Sequence, residues 1–202
     1  MIKNIVFDMG NVLIRYNARD YVGLYVKDKE EGDYLCQQIF QSVEWIMQDR
    51  GILKQEELYD KLCRKIPEKY HQIMKTLIDN WHHEIPPYPE MEALIAALKE
   101  RGYKIYLLSN TSNMYFNFRK NIPALKYFDG EFVSCDYRLV KPDPKIYTTF
   151  TARYGLNPSE CFFIDDNNAN LEAALYMGWK GTVYRGVIND LEEALRQEGV
   201  TI

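Results

Sequence analysis

The amino-acid sequence predicts an α/β protein, a doubly wound parallel sheet with a helical subdomain inserted after its first strand. Three observations lead to this prediction. A short apolar run opens the chain at Ile2–Phe7, and a long stretch with helical patterning follows at about 17–85. Short apolar runs then alternate with helical patterns. Such alternation requires crossover connections, and it is typical of a parallel sheet with helices on both faces.

The first element is predicted to be a buried strand. Ile2–Phe7 is rich in β-branched residues and continuously apolar, as strands buried on both faces are. It runs into Asp8-Met9-Gly10-Asn11, a sequence typical of a loop.

The second region has a different composition. Residues 17–85 are rich in Glu, Lys, Gln, Tyr and Leu, and apolar residues recur there at helical spacing, for example at Leu58 and Leu62. The stiff segment Ile85-Pro86-Pro87-Tyr88-Pro89 then cannot continue a helix. We therefore predict an α/β core formed by 1–16 and 86–202, with 17–85 as an inserted helical cap.

The remaining elements follow in regular order. An apolar helical face around Leu94 ends at Gly102, which is typical of a helix C-terminus. The later patterns predict alternating strands and helices, with strands at 103–108, 131–135, 161–164 and 180–184 and helices at about 146–154, 170–177 and 189–198.

Composition narrows the possible classes of protein. The 202 residues are 47% hydrophobic and 27% charged, which is ordinary for a globular chain and excludes a disordered or collagen-like one. The formal charge of −4 gives no reason to expect nucleic acid or an anionic membrane as a partner. The four cysteines have no zinc-ligand spacing, and no secretory leader or membrane helix is evident. These features predict free thiols and a cytoplasmic protein.

Polar residues follow three of the predicted strands. Asp8 follows the first, Ser109-Asn110 the second and Asp165-Asp166 the fourth, while Lys141 stands in a Lys-Pro-Asp-Pro turn before a helix. In an open parallel sheet ligands bind outside the carboxyl ends of the strands, so these residues should converge. Together they suit one task, which is to bind a phosphate with a divalent cation.

The chemistry explains this choice of residues. Phosphate monoester dianions repel nucleophiles and hydrolyse very slowly unaided. A carboxylate can attack only if a cation such as Mg²⁺ and a lysine offset the repulsion, while neutral donors hold the phosphoryl oxygens. Each residue alone has a simpler explanation as a turn, a helix cap or a solvated lysine. Their joint occurrence in this order favours a site.

The motifs resemble those of the haloacid dehalogenase superfamily, over the whole chain and including the helical cap. The resemblance therefore implies a Rossmann-like core of that family's type. The matching segments are Phe7-Asp8-Met9-Gly10-Asn11-Val12, Leu107-Leu108-Ser109-Asn110-Thr111, Lys141-Pro142-Asp143 and Phe162-Phe163-Ile164-Asp165-Asp166-Asn167. With Asn170 closing the last motif, they are most similar to the alpha-D-glucose-1-phosphate phosphatase-like branch.

The resemblance implies a role for each matched residue. Asp8 would be the nucleophile and a Mg²⁺ ligand, and Gly10 would offer its backbone carbonyl to the metal. Ser109 and Asn110 would bind the phosphoryl group, and Lys141 would bridge nucleophile and phosphate. Asp166 would be the metal ligand of the last motif, with Asp165 a second ligand, direct or through water. The implied activity is Mg²⁺-dependent hydrolysis of a small phosphomonoester, such as a hexose 1-phosphate, through an aspartyl phosphate.

The sequence departs from the superfamily's commonest pattern at Gly10. Most phosphatases of this family carry a second aspartate there, as general acid and base, and such a group contributes roughly 10²–10⁴-fold in rate. Three explanations stay open. An anomeric phosphate needs less protonation of its leaving group, another group or a metal-bound water takes the role, or the protein is slow or inactive. The glycine also argues against a phosphomutase.

Two further functions remain as alternatives. A 2-haloacid dehalogenase also lacks the second aspartate and uses no metal, but the Asp165-Asp166 pair would repel a haloacid carboxylate. A catalytically weak or inactive binding protein is the other alternative. Release of phosphate with Mg²⁺, of halide without metal, or of neither distinguishes the three.

Substrate selection is expected from the cap. Its hinges are predicted at 14–17 and near Pro86. Each specificity candidate could equally be cap core or solvated surface, and the candidates are Glu44, Trp45, Arg50, Trp81, His82 and His83.

Overall fold

A five-stranded parallel sheet forms the centre of the computed structural model, which describes residues 1–83 and 85–202. The strand order is β3-β2-β1-β4-β5, and all neighbours are parallel. The predicted doubly wound α/β core is therefore confirmed. The strands are β1 (Asn4–Phe7), β2 (Lys104–Ser109), β3 (Gly130–Val133), β4 (Cys161–Asp165) and β5 (Lys180–Val183).

Helices connect the strands and cover the sheet. Those between β1 and β2 are α1 (Ala18–Tyr25), α2 (Lys29–Phe40), α3 (Val43–Asp49), α4 (Gln55–Cys63), α5 (His71–Asn80) and α6 (Pro89–Glu100). Those that follow are α7 (Tyr115–Phe118), α8 (Ser134–Tyr137), α9 (Pro144–Tyr154), α10 (Asn168–Tyr176) and α11 (Ile188–Gln197). Short 3-10 helices lie at Glu68–Tyr70, Trp81–His83, Arg119–Asn121, Pro123–Tyr127 and Pro158–Glu160.

Local sequence accounts for many helix ends. The side chains of Asn17, Asp28 and Ser42 accept hydrogen bonds from the first turns of α1, α2 and α3. Pro89 occupies the first turn of α6, where its missing N–H costs nothing. Gly155 ends α9 in the left-handed conformation that glycine adopts easily.

The third strand is shorter than the sequence predicts. We expected it over 131–135, but it ends at Val133 and the chain turns into α8. The reason is tertiary, because the hydroxyl of Ser134 accepts a hydrogen bond from the backbone N–H of Thr111 and lies 2.5 Å from the carbonyl oxygen of Asp49. The turn back at Arg138 has a φ of 56°.

The two faces of the sheet bury separate sets of side chains. Ile5 and Phe7 pack on one face, whereas Val6 points into a second cluster with Phe150 and Trp179. Helices cover both faces, which accounts for the continuous apolar runs within the central strands. The first cluster continues without a break into the helical cap, whose proposed limits of 17 and 85 remain a prediction.

The two connections between cap and core run side by side. Ile14 forms a bridge with Pro87, and the backbone N–H of Arg15 donates to the carbonyl of Pro86 at 2.9 Å. The N–H of Tyr88 likewise donates to the carbonyl of Leu13 at 2.9 Å. The segments predicted as hinges are therefore joined to each other by backbone hydrogen bonds.

Two expectations from composition can be compared with the structure. All four cysteines are free thiols, as their spacing predicted. Within residues 1–83 and 85–202, the helices are too short or too polar to span a membrane.

Candidate active site

A cavity of about 160 Å³ lies where the carboxyl ends of the central strands meet the cap. The strands contribute Asp8, Ser109 and Asp166 to its walls, and the cap contributes Trp45, Asp49 and Trp81. Because β1 neighbours both β2 and β4, the chain reverses its strand order beside Asp8. Such switch points are the usual ligand sites of open α/β sheets.

Lys141 lies buried between two carboxylates. Its Nζ donates to Oδ1 of Asp8 and to Oδ2 of Asp165, both at 2.7 Å, and to the carbonyl of Leu108 at 2.9 Å. Burial alone would lower the pKa of this lysine, but the charges of Asp165 and Asp8 raise it. The ammonium group is therefore held charged at the end of β1, in contact with one oxygen of each carboxylate.

The backbone of Lys141 is held by Asn110. The side-chain Oδ1 of Asn110 accepts from the Lys141 N–H at 2.8 Å, and its Nδ2 donates to the Lys141 carbonyl at 2.9 Å. The bond between Lys141 and Pro142 is cis. Both ends of the Asn110 amide thus hold the lysine backbone, and Asn110 also lines the cavity. Its role in binding phosphate stays a prediction. Ser109 is buried and lines the cavity directly.

Asp8 has an unusual ionisation for an aspartate. Burial raises its pKa to about 7, the charge of Lys141 opposes this rise, and the charge of Asp165 adds to it. A carboxylate that is costly to ionise without further positive charge is well suited to hold a cation.

The two adjacent aspartates have different surroundings. Asp165 is fully buried and accepts from Lys141, from the Asn167 N–H at 2.8 Å and from Nδ2 of Asn170 at 3.0 Å. Asp166 lines the cavity, where one oxygen accepts from Nδ2 of Asn11 at 2.9 Å. Burial raises the pKa of Asp166. Asp165 therefore orients the lysine, and Asp166 faces the space where a ligand would lie.

These carboxylates form a group that a metal ion fits. Ligand oxygens of Asp8, Asp165 and Asp166 all lie within 4.8 Å of one another. Carboxylate oxygens are the ligands that Mg²⁺ prefers in proteins. The cavity wall also includes Gly10, whose backbone carbonyl is a metal ligand by resemblance to the family.

Only some of the specificity candidates line this cavity. Trp45 and Trp81 do, and their rings meet edge to face with centroids 6.0 Å apart. Glu44 instead pairs with Lys65.

The other three candidates lie elsewhere. The guanidinium of Arg50 is 3.8 Å from the carboxylate of Asp143. His82 and His83 line a separate cavity beside Phe118.

The structure adds cavity residues that sequence reasoning did not single out as site residues. Asn11 donates to Asp166, and Asn170 donates to Asp165. Both asparagines belong to the motifs quoted above, so their place in those motifs could have identified them as site residues. Tyr16 and Asp49 also line the cavity. The local sequence carries no comparable signal for Asp49, because its place depends on how the cap packs on the core.

A known protein family matches most of this chain. Residues 2–178 match the family model described as haloacid dehalogenase-like hydrolase. The chain belongs to the haloacid dehalogenase-like hydrolases. The parallel α/β fold is the one that the resemblance to this family implied. The narrower glucose-1-phosphate phosphatase-like branch stays a prediction.

Several relatives of this hydrolase are named for phosphatase activity. The sesquiterpene phosphatase astK of Aspergillus oryzae is 28% identical over 180 residues, which is 89% of this chain and 88% of that protein. A D-ribitol-5-phosphate phosphatase of Bacteroides thetaiotaomicron is 26% identical, covering 89% of this chain and 90% of the relative. By contrast, the chain spans 17% of the mouse acyl-CoA dehydrogenase family member 10, to which it is 26% identical.

Solved structures show the same fold. A haloacid dehalogenase family enzyme of Bacteroides thetaiotaomicron, crystallised with magnesium and inorganic phosphate, superposes with a TM-score of 0.69. The two chains are 24% identical, and the match covers 92% of this chain and 96% of that one. At this identity the likeness establishes the shared architecture.

Proposed function

We propose that this hydrolase releases inorganic phosphate from a small phosphomonoester, with Mg²⁺ and through an aspartyl phosphate on Asp8. One observation carries the proposal. The buried ammonium of Lys141 contacts Asp8 and Asp165, while Asp166 lines the same cavity. A lysine and three carboxylates at one strand edge suit a dianionic substrate that is bound together with a divalent cation.

The carboxylate set supports a single metal position. Asp8, Asp166 and the Gly10 carbonyl would hold Mg²⁺ directly, because Asp165 is already engaged by Lys141 and Asn170. Asp165 would contribute through its charge or through water. Bound Mg²⁺ would offset charge on the carboxylates and on the phosphate oxygens.

The chain's own residues would divide the remaining work. One oxygen of Asp8 attacks phosphorus, and Lys141 reduces the repulsion between that carboxylate and the incoming dianion. The hydroxyl of Ser109, with donors from the 109–111 loop, would hold the phosphoryl oxygens. Asn110 acts on this step through Lys141, whose backbone it holds. Water then hydrolyses the aspartyl phosphate.

The cavity walls restrict the alcohol part of the substrate. Tyr16, Trp45 and Trp81 present aromatic rings to a space of about 160 Å³, which is small for a ligand pocket. Aromatic surfaces accept either the apolar face of a sugar ring or a hydrocarbon chain. A sugar phosphate such as a hexose 1-phosphate remains our proposal, and the names of the relatives add a sugar-alcohol phosphate and a terpenoid phosphate to the compounds worth testing.

A phosphate-release assay tests the proposal. Wild type and Asp8→Asn would be compared on a panel containing hexose 1- and 6-phosphates, ribitol 5-phosphate, a prenyl monophosphate, FMN and 4-nitrophenyl phosphate, with Mg²⁺ and with EDTA. We expect release that requires Mg²⁺ and disappears in the variant. Full activity of Asp8→Asn would refute the mechanism.

The same assay separates the alternatives. Halide release from a 2-haloacid in EDTA would indicate a dehalogenase, and no release of either product would indicate a binding protein. The neighbouring Asp8, Asp165 and Asp166 carboxylates argue against binding a haloacid carboxylate without metal.

A further inference from the structure

Asp49 is the carboxylate that the cap places on the wall of the active-site cavity. It is the last residue of α3. The other cap residues on that wall, Trp45 and Trp81, have no group that exchanges protons at neutral pH. Among the described residues, Asp49 is therefore the acid or base that reaches this space from the side opposite Asp8.

Contacts with the core hold this end of α3 in place. The carbonyl oxygen of Asp49 lies 2.5 Å from the hydroxyl of Ser134, and the same hydroxyl accepts from the N–H of Thr111 at 2.8 Å. Thr111 belongs to the loop that follows β2 and also lines the cavity. Ser134 therefore joins the backbone of Asp49 to the loop proposed to hold the phosphoryl group.

The Asp49 carboxylate has no cationic partner among residues 1–83 and 85–202. The neighbouring guanidinium of Arg50 turns to Asp143, and Lys141 is occupied by Asp8 and Asp165.

Burial raises the pKa of Asp49 to about 7, close to the pH at which a group both donates and accepts protons efficiently. The other ionisable groups around it include Tyr16 and Cys135, both of which burial keeps neutral.

We propose that Asp49 is the general acid and base of this phosphatase, in place of the carboxylate that the chain lacks at Gly10. This inference rests on the proposed phosphatase function. It assigns the proton transfers to a residue of the cap, which also contributes Trp45 and Trp81 to the cavity wall.

The proton balance is complete with Asp49. In the first step an oxygen of Asp8 bonds to phosphorus, the bond from phosphorus to the leaving oxygen breaks, and that oxygen takes the Asp49 proton. The products are an aspartyl phosphate, a neutral alcohol and the Asp49 carboxylate. In the second step Asp49 takes a proton from water, and the water oxygen bonds to phosphorus. The bond from phosphorus to Asp8 breaks, and phosphate, the Asp8 carboxylate and protonated Asp49 result.

Gly10 offers a way to test this replacement. A Cβ built on Gly10 would meet its nearest neighbours, atoms of Tyr16, at 3.8 and 3.9 Å, which is ordinary contact. Its backbone also lies outside the left-handed region. A Cβ at position 10 therefore fits without displacing the backbone, which makes Gly10→Asp a suitable substitution.

The experiment compares two leaving groups. Wild type, Asp49→Asn, Gly10→Asp with Asp49→Asn, and the control Asp60→Asn would be assayed on a primary alkyl phosphate and on 4-nitrophenyl phosphate with Mg²⁺. Asp60 lies exposed on α4, away from the cavity. Nitrophenolate leaves without protonation, so a general acid matters little for that ester.

We expect Asp49→Asn to lose roughly 10²-fold or more in kcat/KM on the alkyl phosphate and less than about threefold in kcat/KM on the aryl phosphate, because kcat/KM reports phosphoryl transfer to Asp8 and not the later hydrolysis that both esters share. Adding Gly10→Asp should restore much of the alkyl activity, and Asp60→Asn should match wild type. Equal losses in kcat/KM on both esters, or no loss on either, would overturn the assignment while the phosphatase function stands. Phosphate release that is absent from wild type, or unchanged in Asp8→Asn, would instead refute the function on which it rests.

Discussion

The buried carboxylates of Asp8 and Asp49 suit catalysis, but their burial lowers the stability of the fold. The carboxylates of Asp8 and Asp49 are partly or wholly removed from water, and burial raises the pKa of each to about 7. Lys141 compensates for Asp8, whereas no described cation compensates for Asp49. Proteins often retain such destabilising buried charges at functional sites, and a neutral replacement there increases stability and decreases activity.

Neutralising Asp49 should therefore stabilise the metal-free protein in a pH-dependent way. Its pKa is near 3.8 in an unfolded chain and about 7 in the fold. Well below pH 4 the group is protonated in both states. Between pH 4 and 7 the unfolded state loses its proton first, so the fold loses stability as the pH rises. Urea denaturation in EDTA should show Asp49→Asn equal to wild type near pH 4 and more stable by on the order of 2–4 kcal/mol above pH 7.

The exposed Asp60 supplies the control for that measurement. Asp60→Asn should follow wild type at every pH, because its side chain is solvated in both states. A gap between Asp49→Asn and wild type that is as large at pH 4 as at pH 8 would contradict the assigned burial of the charge.

Asn170 is a donor to the buried carboxylate of Asp165. Its Nδ2 donates to both oxygens of the buried Asp165, at 3.0 and 3.2 Å. Asn170→Ala would leave a buried carboxylate short of a donor, so we expect a loss of about 1–3 kcal/mol in urea denaturation. Asn168→Ala on the same helix removes an exposed contact with Arg185 and should cost about 0.5 kcal/mol or less. Similar effects of the two substitutions would show that Asp165 does not depend on Asn170.

Among the helices, α3 of the cap contacts α8 of the core at its C-terminal end. The N–H of Gly51 donates to the carbonyl of Gln48 and that of Ile52 to Met47, which closes the helix with Gly51 in a left-handed conformation at φ +70°. A Cβ on Gly51 would lie 2.2 Å from the carbonyl oxygen of Cys135 in α8. Glycine is thus required here by conformation and by space.

Two glycine substitutions in the cap should have opposite effects. Gly51→Ala places a methyl group against backbone and should destabilise the protein by more than about 2 kcal/mol. Gly23→Ala lies on an exposed face of α1 with nothing within 4 Å of its Cβ, and should stabilise it by about 0.5–1 kcal/mol. Thermal denaturation of both variants tests this, and a neutral Gly51→Ala would mean that cap and core are not in contact there.

At the scale of the whole molecule, one cavity is built from two units that are far apart in sequence. Trp45 and Trp81 come from the cap, whereas Asp8, Lys141 and Asp166 come from three parts of the core. A buried cluster continues across both units. Substrate bound in this cavity would therefore contact both units, and its binding would change the surroundings of the cap tryptophans.

Intrinsic fluorescence should report this event. Orthovanadate, a phosphate analogue, added with Mg²⁺ should change the emission of wild type and of Trp179→Phe. Trp179 packs against Phe163 and Phe150 on the other face of the sheet. The combined Trp45→Phe and Trp81→Phe variant should show little response. A response that is lost with Trp179 instead would place the change in the core.

Local sequence patterns were enough to predict the fold and most of the residues that the core contributes to the site. Continuous apolar runs such as 161–164 form strands buried on both faces, and the polar residues after them meet because parallel strands align their carboxyl ends. Asp8, Lys141 and Asp166 could thus be placed together without coordinates. The end of β3 could not, because it depends on the distant partners of Ser134.

The packing of the cap on the core determines which cap residues reach the cavity and what each polar group contacts. Trp45, Trp81 and Asp49 line it, while His82 and Glu44 lie elsewhere. A helical pattern shows that a residue lies on an apolar or polar face, but not which part of the core that face meets. That choice is made by packing between segments distant in sequence, so the proposed acid and base became visible only once the cap was folded onto the sheet.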